Sequence, residues 1–334
     1  MQVWRTLDEA CAQKCPSALT IGIFDGLHRG HQEILSTLVK MAKAKSLRSV
    51  ALTFDPHPVT VHYPQADFNL IYSLEDRLTY LSSMGVDATF VQAYSLDFAQ
   101  ADPQDFVKQY FVDCLGARLV VIGDDVRFGK GNSGDLALLR ELGGLHDFEV
   151  VAVPDICDDL GRRLSSSWVR ELLAEGDVDQ VHDILGRPHR VRGLVVHGLK
   201  RGRELGFPTA NLDAENAGEV PADGVYAGWL VRPLPHGAAV PTSIERLPAA
   251  ISVGTNPQFF GKSRTVEAHV LGRSDLNLYG DSVAIEFVHR IRGMMSFASV
   301  NQLLERMDED LLETSRVLGV PVASRVDPAS VTAR

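Results

Sequence analysis

Histidines 28 and 31 stand three residues apart in the run Gly22-Ile23-Phe24-Asp25-Gly26-Leu27-His28-Arg29-Gly30-His31. At a helix start, imidazoles with this spacing join unpaired backbone N–H groups that attract anions. Gly26 and Gly30 admit a ligand close to the backbone, so the run has the make-up of a polyphosphate site. His28 and His31 would donate hydrogen bonds to phosphate oxygens that gain charge during transfer. Two such histidines alone are ordinary surface residues. The glycines around them and the apolar run before them favour the nucleotide reading.

A second dense run is His197-Gly198-Leu199-Lys200-Arg201-Gly202-Arg203-Glu204-Leu205-Gly206-Phe207-Pro208-Thr209-Ala210-Asn211-Leu212. Its three glycines with Lys200, Arg201 and Arg203 suit a basic flap over phosphates. Thr209 and Asn211 offer the hydroxyl and amide oxygens that magnesium prefers. No G-x-x-x-x-G-K-S/T is present, so this is not a P-loop. Taken only as a basic run, 187–203 would be a solvated or RNA-facing surface, and the embedded Gly-Phe-Pro-Thr-Ala-Asn redirects that reading.

Three further stretches carry matching chemistry. In Thr53-Phe54-Asp55-Pro56-His57-Pro58, the prolines stiffen a loop whose Phe54 and His57 can lie against a flat ring. Gly123-Asp124-Asp125-Val126-Arg127-Phe128-Gly129 supplies a second aromatic wall in Phe128. Ser165, Ser166 and Arg170 mark a helix start with hydroxyls and a guanidinium one turn in, although Ser165 also suits a plain N-cap.

These groups need elements to hold them. Apolar runs at 18–24, 49–54, 88–92, 119–123 and 149–153 alternate with amphipathic segments, which predicts a doubly wound α/β fold with a parallel sheet. After Gly30, the residues Ile34, Leu35, Leu38, Met41 and Ala42 recur at helical spacing. Beyond Leu185 the texture changes to alternating segments at 190–197, 224–231, 249–253, 264–271 and 282–289, broken by Gly and Pro. That pattern predicts an antiparallel β-barrel. Ser299 with Gln302 announces a C-terminal helix that Gly319 can stop. The hinge is placed at 186–188, giving domains 1–186 and 187–323 and a probable flexible tail at 324–334; the chain after Val320 has little with which to pack.

The 334 residues, 45% hydrophobic and 23% charged, suffice for two domains. A net charge of -10 argues against general nucleic-acid binding. No stretch approaches the roughly 18 apolar residues of a membrane helix, and the N-terminal segment lacks an apolar leader core, so a cytoplasmic protein is expected. Cys11, Cys15, Cys114 and Cys157 are scattered and read as reduced thiols.

The first half resembles the nucleotidylyltransferase superfamily, which shares an H-x-G-H signature with class I tRNA synthetases. The three added stretches narrow this to the FMN adenylyltransferase module of bacterial FAD synthetases. The resemblance implies ATP contacts by Gly22, Phe24, Asp25, Gly26, His28, Gly30, His31, Asp125, Ser165, Ser166 and Arg170. It implies flavin contacts by Phe54, Pro56, His57, Pro58 and Phe128. Ser167 stands where threonine is commoner, and Val126 where an aromatic often stands.

The second half resembles the riboflavin kinase module through the 197–212 run and through 224–228, 251–257, 266–271 and 278–280. By that resemblance Gly198, Lys200, Gly202, Arg203, Gly206, Phe207, Pro208, Thr209 and Asn211 bind ATP. Thr209 and Asn211 also hold Mg2+, Glu267 is the catalytic base, and Arg292 and Phe297 line the flavin end. Gly272 replaces a common aspartate. The implied substrates are riboflavin, FMN and ATP, with FAD as product and a homo-oligomer compatible. A chain with one silent module and a nonenzymatic flavin or nucleotide sensor are the alternatives at this point.

Overall fold

The apolar runs of the first half form one six-stranded sheet. Its strands are β1 (Gln2–Trp4), β2 (Ser17–Ile21), β3 (Arg48–Asp55), β4 (Ala88–Ala93), β5 (Ala117–Gly123) and β6 (Glu149–Val153). They lie in the order β1-β4-β3-β2-β5-β6, and every pairing is parallel. The computed structural model describes residues 1–197, 206–213, 218–232, 244–255 and 264–326, and it divides into units Met1–Ser166 and Ser167–Arg334.

Helices of the first unit are α1 (Leu7–Ala12), α2 (Arg29–Ala44), α3 (Pro58–His62), α4 (Leu74–Ser83), α5 (Pro103–Phe106) and α6 (Leu136–His146). A π-helical stretch, Val107–Cys114, continues from α5. α2 buries Leu35, Leu38 and Ala42, and Leu38 and Ala42 pack with Ala18, Leu119 and Val121, as the helical spacing requires. The opposite layer gathers Leu19, Val50, Leu52, Phe90, Val120 and Ile122 with Phe106, Tyr110 and Phe111. Covering both faces of the sheet explains why β3 reads as a continuous apolar run instead of an alternation.

Two expectations change here. The sheet has a sixth strand, β1, whose three residues are too short to show a period. Cys11 and Cys114 are joined in a disulfide across 103 residues, so only Cys15 and Cys157 remain thiols. The scattered sequence positions give no sign of this pairing, because α1 meets the π-helical stretch only after folding. There Cys114 Sγ also lies 3.5 Å from the Leu7 carbonyl.

In the second unit, α7 (Ser166–Glu175, whose first residue belongs to the first unit) and α8 (Val178–Leu185) precede a closed barrel. Its strands are β7 (His189–Val196), β8 (Ala210–Leu212), β9 (Gly224–Val231), β10 (Arg246–Thr255), β11 (Arg264–Val270) and β12 (Ser282–Arg292). The order is β10-β11-β8-β7-β12-β9, with antiparallel pairing throughout. α9 (Val300–Leu318) has Ser299 Oγ accepting from the Gln302 N–H at 3.2 Å, and Gly319 closes it in the left-handed conformation.

The segment after Val320 does find packing partners, contrary to expectation. Val320 and Ala323 rest on the cluster of Phe207, Leu271 and Leu311, and the Val326 N–H donates to the Gly206 carbonyl at 3.1 Å. Of the tail, 324–326 are described and 327–334 lie outside the described residues.

α7 and α8 are bound to the barrel. The Ala222 N–H donates to the Leu173 carbonyl at 2.8 Å, Arg290 donates to the Glu175 carbonyl at 2.8 Å, and His289 Nδ1 lies 3.0 Å from Asp179. α8 packs on β7 and β12 and buries Val178, Val181, Ile184 and Leu185. Burial of each such side chain contributes about 1.5–3 kcal/mol as an upper bound. A fragment starting at 167 should therefore melt well above one starting at 187. Thermal unfolding of both checks this, and equal midpoints would show that the helix pair adds nothing to the barrel.

Candidate functional sites

In the first unit the site begins where β2 ends. Ile21 passes into a loop in which Phe24, Gly26 and Leu27 all have positive φ (54°, 77° and 40°). Outside glycine such conformations cost on the order of 1–3 kcal/mol each and persist only where the surroundings fix them. Here Phe24 and Leu27 are each 1% exposed. The Asp25 carboxylate accepts from the N–H groups of Ile71 and Tyr72 at 3.1 and 3.0 Å. Gln32 Nε2 donates to the Leu27 carbonyl at 2.8 Å, and Ser166 Oγ donates to the Asp25 carbonyl at 2.7 Å.

Arg77 of α4, wholly buried, completes the hold. Its Nη1 donates to the carbonyls of Ile23 (2.9 Å) and Phe54 (3.2 Å), and its Nη2 lies 3.3 Å from Asp55 Oδ1. Burial holds its pKa below the usual arginine range, against the opposing pull of Asp25 and Asp55. One guanidinium thus ties the loop after β2 to the end of β3. Sequence reasoning missed it because its acceptors lie on distant strands.

The loop delivers His28 as the N-cap of α2 and His31 into its first turn, with rings stacked at 3.8 Å. They border a cavity of about 580 Å³ at the carboxyl ends of β2, β3, β5 and β6. This is where ligands bind in open parallel sheets, since the strand order reverses between β2 and β5. Of the predicted residues Gly22, Phe24, His28, Gly30, His31, Phe54, Pro58, Asp125 and Phe128 line it. Tyr94, Phe98, Phe106 and Arg163 also line it and were not foreseen.

The aromatic side is continuous. Phe54 lies 5.7 Å from Tyr94 and 5.8 Å from Phe98, and Phe106 lies 6.2 Å from Phe128. A Cβ at Gly134 would come within 2.6 Å of the Phe128 ring, so that residue must lack one. At the polar side Arg163 bridges Asp125 (2.5 Å) and Asp155 (3.0 Å). Burial raises the Asp155 carboxyl, while Arg163 works in the opposite direction.

Other predicted residues stand elsewhere. His57 caps α3, its Nδ1 accepting from the Val59 N–H at 3.1 Å, and it packs on Phe68. Asp25, Gly26, Pro56, Ser165 and Ser166 do not line the cavity, and Arg170 lies on α7 in the second unit.

In the barrel, strand register builds the second site. Glu267 on β11 pairs with Asn211 on β8 and with Ser252 on β10. Thr209 Oγ1 lies 3.4 Å from Glu267 Oε2, and Asn211 Nδ2 reaches the Thr209 carbonyl and Oγ1 at 3.4 and 3.3 Å. Burial raises the Glu267 carboxyl above its ordinary range, with the Thr209 hydroxyl pulling the other way. A half-buried, proton-avid carboxylate beside hard oxygen donors suits hydroxyl deprotonation and a magnesium ion, so the donor set fits that metal.

Around this centre, Gly206 receives the Val326 N–H, Phe207 is buried in the cluster under α9, and Pro208 and Thr209 line a small cavity. Arg292 makes a forked pair with Asp310 of α9 (2.9 and 2.7 Å), and its guanidinium lies 5.9 Å from the Phe297 ring centroid. Gly198, Lys200, Gly202 and Arg203 lie outside the described residues.

Comparison with known proteins gives each half of the chain a family. A family model described as FAD synthetase matches 10–168, and one described as riboflavin kinase matches 185–318. A bifunctional riboflavin kinase/FMN adenylyltransferase of Escherichia coli (strain K12) is 32% identical over 314 residues, covering 94% of this chain and 96% of that protein. The chain belongs to this family. Its Haemophilus influenzae member is 34% identical over 316 residues, covering 95% and 98%. A crystal structure named a macrolide-efflux protein, from Streptococcus pneumoniae, matches with a TM-score of 0.81 at 30% identity, covering 92% and 96%. Among the described residues no helix is long and apolar enough to cross a membrane.

Arg77→Lys keeps the charge and loses the fork. It should destabilise the first unit by about 2–4 kcal/mol in urea unfolding. FMN adenylylation should fall while riboflavin phosphorylation persists. Unchanged stability and adenylylation would show that the guanidinium does not hold the loop.

Proposed function

We propose that the barrel phosphorylates riboflavin to FMN with ATP and that the first unit adenylylates FMN to FAD, releasing pyrophosphate. The observation that carries this is the presence of two unlike sites in one chain. One is a cavity with stacked imidazoles at one end and aromatic walls at the other, and the other is a raised carboxyl beside a Thr-Asn oxygen pair.

In adenylylation an FMN phosphate oxygen attacks the α-phosphorus of ATP, and the bond to pyrophosphate breaks. His28, His31 and the N-terminal N–H groups of α2 donate to the oxygens on which charge grows. Phe54 and Phe128 flank the flavin, and Gly22, Phe24, Gly30 and Asp125 shape the nucleotide side. Ser165 and Ser166 add phosphate contacts where α7 begins. Asp25 and His57 serve through the loops they fix.

In phosphorylation Glu267 accepts the proton of the riboflavin 5′-hydroxyl as that oxygen attacks the γ-phosphorus and ADP leaves. Thr209 and Asn211 hold magnesium, which when bound neutralises charge on the ATP phosphates. Gly198, Lys200, Gly202, Arg203, Gly206, Phe207 and Pro208 are assigned to ATP binding, and Arg292 and Phe297 to the flavin end. We assign 1–186 to the adenylyltransferase, 187–323 to the kinase and 324–334 to a tail. The proposal places the protein in the cytoplasm, where ATP serves both reactions. It works on small molecules, without nucleic acid or membrane, and is compatible with a homo-oligomer.

Flavins separated over time test both steps. His31→Ala should lower FAD formation by about 100- to 1000-fold with FMN formation intact, and parallel loss of both would contradict the assignment. Glu267→Gln should lower riboflavin phosphorylation by about 100- to 10,000-fold while FAD synthesis from supplied FMN continues. Near-parent phosphorylation by this variant would remove Glu267 from the mechanism.

A further inference from the structure

Side chains alternate along a strand, so Glu267 and His269 leave β11 on the same face. His269 stands opposite Ala250 on β10 and is 4% exposed, with its ring 5.4 Å from that of Phe207. Its Nδ1 lies 2.9 Å from the Pro208 carbonyl oxygen. A carbonyl only accepts, so Nδ1 carries the proton. Nε2 is buried and has no hydrogen-bond partner among the described residues.

Packing alone does not call for this residue. The neighbouring cluster of Phe207, Leu271 and Leu311 is apolar, and a phenylalanine would fill the space without burying an unsatisfied nitrogen. What the imidazole adds is one donor aimed at one carbonyl. Pro208 has no N–H, so that carbonyl is its one backbone polar group. The next residue, Thr209, reaches Glu267 and receives the Asn211 amide.

We propose that His269 is a positioning residue for phosphoryl transfer: its Nδ1–H holds the Pro208 carbonyl and so sets the Thr209–Asn211 turn against Glu267. This rests on the assignment of that site to riboflavin phosphorylation. The contacts form one path from β11 through the turn and back to β11, and His269 closes it.

The test uses the full-length protein and compares His269→Asn, whose amide donor falls near Nδ1, with His269→Gln, whose donor falls near Nε2, and with His269→Phe. The Gln and Phe variants should raise the KM for ATP with magnesium about tenfold, the loss of one hydrogen bond, while Asn stays within about threefold of the parent. FMN adenylylation in the same samples should not change. Long-range proton–nitrogen NMR of the parent's His269 ring should show the Nδ1-protonated tautomer, independent of activity and of whether any variant folds. An Nε2-protonated ring, a His269→Phe protein with parent kinetics, or Asn as impaired as Gln would each overturn the proposal. Glu267→Gln run alongside separates the two readings. Parent-rate phosphorylation there removes the base assignment, whereas the tautomer and the Asn–Gln contrast judge His269 itself.

Discussion

A guanidinium removed from water needs acceptors, and both terminal nitrogens of Arg77 find them in the strand and loop ends that frame the first cavity, while its buried Nε has no partner among the described residues. Nη1 holds Ile23 and Phe54, Nη2 faces Asp55, and the charge is opposed by Asp25 and Asp55. Because Asp25 is itself engaged by Ile71 and Tyr72, the loop after β2, the end of β3 and the approach to α4 form one hydrogen-bonded body. That body fixes the positive-φ residues Phe24 and Leu27. The positions of His28 and His31 follow from it.

The barrel reaches similar precision by another route. Register does most of the placing: it sets Glu267 opposite Asn211 and Ser252. Among the described residues its side-chain contact is neutral, the Thr209 hydroxyl, and no ion pair is seen there. A nearby arginine would hold the carboxylate ionised and weaken it as a proton acceptor. Among the described residues the ion pairs of low exposure lie elsewhere in the unit, between Glu286 and Arg190 and between Arg292 and Asp310, with the half-exposed Arg246 also on Glu286; they join strands and bind α9 to the barrel.

Local patterns were legible in the sequence and long-range ones were not. The spacing of Ile34, Leu35, Leu38, Met41 and Ala42 defined α2 because the period lies within one element, and the capping pair Ser299 and Gln302 marked the start of α9. The three-residue strands β1 and β8 have no period to read. Arg77 looks like any charged helix residue until Ile23 and Phe54 are brought to it, and the Cys11–Cys114 pairing needs the fold that makes it. Nine predicted residues border one cavity because they cluster at strand ends, which sequence shows well. Asp25 and His57 were assigned from the same runs, yet their side chains bind backbone N–H groups, a distinction that letters and spacing do not carry.

The bond from Val326 to Gly206 has a consequence for how the protein is made. Gly206 opens the turn that carries Thr209 and Asn211, yet its partner is synthesised 120 residues later, since 326 - 206 = 120. At ordinary translation speeds that interval is on the order of ten seconds. The first unit ends at Ser166, so its chain is synthesised in full before Val326. All residues that line the first cavity are therefore synthesised before the segment that holds Gly206.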